Sequence, residues 1–129
     1  MYRWVDHTAE VELEITAPTE AGVFADALAA LAELLAVEGE GTEERRIEVS
    51  APDRPALLVA WLEELLFLAE SEGFEPTGVE SIALEDDQLE AVVRGRLGDP
   101  PPLVKAATYH GLAFEAGGSG YLARVVLDV

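Results

Sequence analysis

Lys105 is the one lysine in a chain of 129 residues, and every other side-chain cation is an arginine. Lysine is a compact ammonium on a flexible stem, whereas arginine is a planar fork that stays charged. The choice points to a position that needs a point charge, with compositional chance as the plain alternative. The chain closes on "LDV", which sets the Asp128 side chain and the terminal carboxylate of Val129 within two residues. Hard divalent cations take clustered oxygen ligands of this type. A frayed terminus with one salt bridge is the simpler reading on spacing alone. The two histidines, His7 and His110, lie far apart, and with no cysteine present a zinc site would need carboxylates to complete it. Strand parity with Leu112 and Phe114 predicts His110 as a hydrogen-bonded histidine at the core edge, and His7 in "DHTAE" equally suits a turn. No Ser-His-Asp arrangement is legible among Ser50, Ser71, Ser81 and Ser119.

Two Gly- or acid-rich segments resolve into turns. "GGSG" at 117–120 lacks the Lys-Ser/Thr of a phosphate loop and joins two strand patterns, which predicts a hairpin turn. "EDDQ" at 85–88 lacks the alternating acids and the glycine of an EF-hand loop, so a solvated turn is expected.

The elements that must position these groups follow from periodicity. Phe24, Leu28, Leu31, Leu34 and Leu35 recur at helical spacing, with Thr19 as N-cap and Gly39 beyond the end. A second helix carries Leu58, Trp61, Leu62, Leu65 and Leu66, with Asp53 as cap and Pro55 in the first turn. "EVELEI" alternates strictly, Val11, Leu13 and Ile15 to one side and Glu10, Glu12 and Glu14 to the other. "RRIEVSA" reads as a strand, "VESIAL" and "QLEAVVRGRL" as a hairpin, and "VKAATYHGLAFEA" and "YLARVVLDV" as another. A five-residue loop in the last hairpin sets Glu115 against Tyr121, Asp128 against Thr108 and Val129 against Ala107. The expected fold is one α+β domain over residues 1–129, a two-layer arrangement with two amphipathic helices on one face of a single mixed sheet.

Half of the residues are hydrophobic and the formal net charge is −18. That charge argues against nucleic acid and anionic membrane as direct partners, since both select for clustered Lys and Arg. It suits a basic protein partner or a divalent cation. The absence of cysteine excludes disulfides, thiolate metal sites and a cysteine nucleophile. The charged, polar N-terminus is unlike a signal peptide, and the longest apolar run is interrupted by Glu63 and Glu64. A soluble, cytoplasmic protein is expected.

Taken together, "DHTAEVELEI", "LLVAWLEELLFLAE", "VKAATYHGL" and the closing "VVLDV" resemble the archease family, in the right order and across essentially the whole chain. The resemblance implies an accessory protein and not an enzyme, with no catalytic residue of its own. Archeases assist the RNA ligase that joins tRNA halves, promoting its guanylylation and its repeated turnover, and bind a divalent cation, generally calcium. Carried over by position, it implies Glu10, Asp128 and Val129 as cation ligands. It implies Lys105, His7, Asp6 and His110 as partner or functional contacts. Glu10 departs from the family's usual Asp, adding one methylene to that ligand. Glu63 stands where many relatives carry Asn, with little expected effect on packing. Two alternatives remain: a chaperone-like modulator of RNA-modifying enzymes, and a stand-alone metal-dependent hydrolase, which lacks an obvious base apart from the histidines.

Overall fold

The computed structural model describes residues 1–7, 10–100 and 104–129. Its elements run β1 (Tyr2–His7), β2 (Glu10–Ala17), α1 (Glu20–Leu34), β3 (Glu43–Ser50), α2 (Arg54–Glu72), β4 (Phe74–Leu84), β5 (Gln88–Leu97), β6 (Ala106–Gly117) and β7 (Gly120–Asp128). Both helices start where their caps dictate. The Thr19 hydroxyl accepts the Gly22 N–H at 3.0 Å, and the Asp53 carboxylate accepts that of Ala56 at 2.8 Å. Helix α2 ends on Gly73, whose φ of 68° lets its N–H turn back to Ala69 and Leu68 carbonyls.

The class is α+β as expected, but the single mixed sheet is not what forms. The strands make two sheets, ordered β1-β2-β7-β6 and β3-β5-β4, and every pairing is antiparallel. The helices do not cover one face of one sheet either. Helix α1 packs on β2 and β7 of the first sheet and on β4 of the second, while α2 packs on β6 and on β3, β4 and β5. The physical reason lies in the breadth of their apolar surface. On α2 the buried set is Leu57, Leu58, Val59, Trp61, Leu62, Leu65, Leu68 and Ala69, too wide an arc for one layer to cover.

One core joins the layers. Leu13, Ile15, Val125 and Leu127 from the first sheet meet Phe24, Leu28 and Trp61 from the helices and Ile47, Leu89 and Val93 from the second sheet. Trp61 Nε1 donates to the Phe24 carbonyl at 2.9 Å, so its one polar atom is satisfied inside, and its ring meets Phe24 edge-on. Arg54 ties three elements together: its Nε pairs with Glu20 at 2.7 Å, and its guanidinium donates to the carbonyls of Glu85 and Asp86 in the β4–β5 turn.

The β6–β7 hairpin is tighter at its turn and looser in its middle than the alternation predicts. Gly117 pairs with Gly120 around the two residues Gly118 and Ser119, and Glu115 pairs with Leu122 rather than Tyr121. Farther along, residues 109–112 of β6 stand against Val125 alone, between the pairs Ala113–Arg124 and Thr108–Val126. That bulge includes Gly111 at φ 67°, a left-handed conformation that glycine adopts without a Cβ penalty. As a result Asp128 pairs with Ala106 and not with Thr108.

Candidate functional site

Strand β7 lies between β2 and β6, so its last residues are flanked from both sides. Glu10 pairs directly with Asp128, and Asp128 with Ala106. Alternation sends Leu13, Ile15, Val125 and Leu127 into the core, which leaves Glu10, Glu12, Glu14 and Asp128 on the opposite face. Directly opposed residues in an antiparallel pair hold their Cβ atoms about 5 Å apart. Carboxylates at that spacing are close enough for one ion to bridge. The ladder thus brings Glu10 and Asp128 together, and Val129 follows them, exposed, at the strand end. Among the described residues no group of three or more His, Asp or Glu side chains comes together as a metal cluster.

The same face is electrostatically organised. Glu14 pairs with Arg3 at 2.5 Å and with Arg124 at 3.5 Å, which balances the middle of the sheet and leaves the Glu10–Asp128 end anionic. Val126 stands between Glu12 and Thr108 in the ladder and is only 3% exposed, although it lies outside the main core cluster. It gives the anionic face an apolar floor.

Lys105 lies beside this end of the sheet. Its backbone N–H donates to the Asp128 carbonyl at 2.8 Å, so the strand start and the acidic strand end are adjacent, as expected. Its ammonium is exposed and makes no ion pair among the described residues. Lys105 also borders a cavity of about 750 Å³, with Leu35 and Leu66 on its apolar side and Glu70 and Asp99 on its rim. No sequence pattern marks this cavity, because it forms where the last turns of α2 meet Leu35 after α1, residues 98–100 after β5 and Val104 and Lys105 before β6.

The remaining candidates divide. In the β1–β2 ladder His7 stands opposite Glu10, in the same row as Asp128, while its side chain, like Thr8 and Ala9 of the "HTAE" segment, lies outside the described residues. Asp6 pairs with Val11 and is exposed, so its parity sets it off the Glu10–Asp128 face. His110 is not at the core edge: the bulge carries it out of the alternation, it is exposed, and its backbone N–H donates to Thr108 Oγ1 at 3.3 Å. Glu63 does more than fill space. Its carboxylate accepts the Ala107 N–H at 2.9 Å, taking a donor near the start of β6, the strand at the edge of its sheet.

The sequence matches the model of the archease protein family over residues 2–129. An archease of Methanopyrus kandleri is 34% identical, with 97% of this chain and 96% of that protein covered. One from Archaeoglobus fulgidus is 33% identical, with 99% and 98% covered. Among solved structures, a Methanobacterium thermoautotrophicum protein superposes with a TM-score of 0.76 at 29% identity, covering 99% of this chain and 98% of that one. A Thermotoga maritima protein, described as an archease and possible chaperone, superposes at 0.72 with 25% identity, covering 100% and 98%.

Proposed function

The chain belongs to the archease family, and from that premise we propose that it is an accessory protein of the RNA ligase that joins tRNA halves. In this reading it promotes guanylylation of the ligase and its repeated turnover, and does no bond chemistry itself. The Glu10 and Asp128 carboxylates, with that of Val129, would hold a divalent cation, calcium by resemblance. Such an ion supplies a fixed local positive charge to an otherwise anionic surface. The observation that carries the reading is the direct Glu10–Asp128 pair, with the Lys105 N–H on the Asp128 carbonyl next to it. Residues from the start, the last third and the end of the chain form one small site, and each lies in a segment that carries the family resemblance. Glutamate in place of the family's aspartate keeps the carboxylate and lengthens its reach by one bond, so the donor set stays hard and oxygen-only.

The acidic character of the chain fits a partner with a basic surface, since opposite fields steer association and suppress wrong partners. The description of the Thermotoga maritima relative as a possible chaperone favours a second, broader reading, in which the partner is any RNA-modifying enzyme with such a surface. The test is ligase guanylylation and multiple-turnover RNA joining with the wild-type protein, Glu10→Gln and Asp128→Asn at equal folded concentration. Stimulation by the wild type and its loss in both variants is expected. Full stimulation by both variants would remove the carboxylate pair from the function.

A further inference from the structure

Tyr109 is 67% exposed, and among the described residues its hydroxyl takes no hydrogen bond and its ring meets no other ring. The other two tyrosines are engaged: the Tyr2 hydroxyl donates to Glu33, and the Tyr121 ring lies 6.1 Å from that of Phe114. The backbone also departs from regular pairing to present Tyr109. It opens the bulge in which residues 109–112 oppose Val125 alone, with Gly111 in the left-handed region. Bulges re-aim side chains and recur next to functional sites. Phe67, an exposed aromatic on α2, comes from a regular helix and needs no such distortion.

Tyr109 follows Thr108, which pairs with Val126, and Val126 pairs with Glu12 on its other side. Three residues back along β6, about 10 Å at the rise of a strand, is the row Ala106–Asp128–Glu10. Tyr109 has the strand parity of the buried Ala107 and not that of the Glu10–Asp128 row, so what lies near that row is an exposed aromatic on the edge strand of the sheet, on a chain of net charge −18. Arginine and lysine are attracted to the face of a tyrosine ring and to carboxylates alike.

We propose that Tyr109 is an anchor for the basic protein partner, its ring face receiving an arginine or lysine side chain while the carboxylates of the adjoining strands complement the surrounding positive charge. This rests on the accessory-protein reading and adds to it a named contact outside the cation ligands. Tyrosine is enriched among the few residues that carry most of an interface's affinity.

The test is titration of the guanylylation-competent ligase with the full chain, wild type and variants, by calorimetry. Tyr109→Ala is expected to weaken binding by about tenfold. Tyr109→Phe, which keeps the ring, is expected to bind within about threefold of wild type. Phe67→Ala is the control, expected to leave affinity unchanged. Tyr109→Ala bound as tightly as wild type overturns the proposal alone, as does Tyr109→Phe as weak as Tyr109→Ala, or an equal loss in Phe67→Ala. A wild-type chain that does not bind the ligase overturns this proposal and the accessory reading together.

Discussion

At the residue scale, three side chains carry measurable consequences. Glu63 holds the Ala107 N–H, two residues from Lys105. Glu63→Leu leaves that donor without its carboxylate and is expected to cost about 1–2 kcal/mol in urea unfolding. Glu63→Gln, which keeps an acceptor, should cost less than half of that. Tyr2 is the residue whose ionisation the fold alters most clearly. Its hydrogen bond to Glu33, reinforced by burial and by the charges of Glu33 and Asp26, pushes its pKa from 10.0 to about 12. The folded state therefore keeps the neutral phenol when the unfolded chain has lost its proton. This contribution is complete below pH 10 and disappears as the pH rises through about 12. Absorbance titration at the phenolate band should follow the Tyr2 ionisation to about 12, and Glu33→Gln should bring it back toward 10.0. Lys105 was legible in sequence as an exception among arginines, and the structure sets its backbone on Asp128. Its ammonium carries no ion pair among the described residues. Lys105→Ala should then change thermal stability by less than about 0.5 kcal/mol, and a larger loss would show that the ammonium balances the acidic strand end.

At the element scale, the helices were readable because their signals are local. Thr19 and Asp53 cap where expected, and the apolar stripes bury except at Leu34 and Leu66, which are half-buried. Gly73 shows how strict such a signal is: a Cβ there would sit 2.5 Å from the Gly98 carbonyl oxygen, on a backbone already at φ 68°. Gly73→Ala is expected to destabilise by more than about 1 kcal/mol, read as a lower urea midpoint. Strand β1 escaped the sequence analysis although Tyr2 and Trp4 alternate toward the core against Ile15 and Leu13. The acidic and histidine-containing "DHTAE" masked that short alternation. The hairpin register failed for a different reason. Alternation fixes which residues share a face but is blind to an inserted bulge, and Gly111 was the only local hint of one. His110 was misplaced by the same insertion. The assignment to two sheets was out of reach, because strand patterns carry no mark of which layer a strand joins.

At the scale of the whole molecule, excess negative charge and two-sided helix packing set the behaviour. Association with a basic partner should slow as salt is added, because screening at 0.15 M shortens the reach of the field to about 8 Å. A rate constant independent of ionic strength would deny the acidic surface a steering role. If the carboxylate pair holds calcium, excess ion at a hundred times its Kd should add about 2.7 kcal/mol of stability. Calorimetric melting with calcium and with chelator measures this. The position of β7 has a kinetic consequence as well. The seventh strand in chain order is inserted between the second and the sixth, and its residue 128 pairs with residue 10. The first hairpin, β1–β2, must wait for nearly the whole chain to be synthesised before its sheet can close. Such distant pairings make the closing search long, so refolding is expected on the millisecond-to-second scale rather than in microseconds. Until that insertion occurs, both β2 and β6 expose an unpaired edge. A nascent or slowly refolding chain is then most open to aggregation at the strands that later build the site.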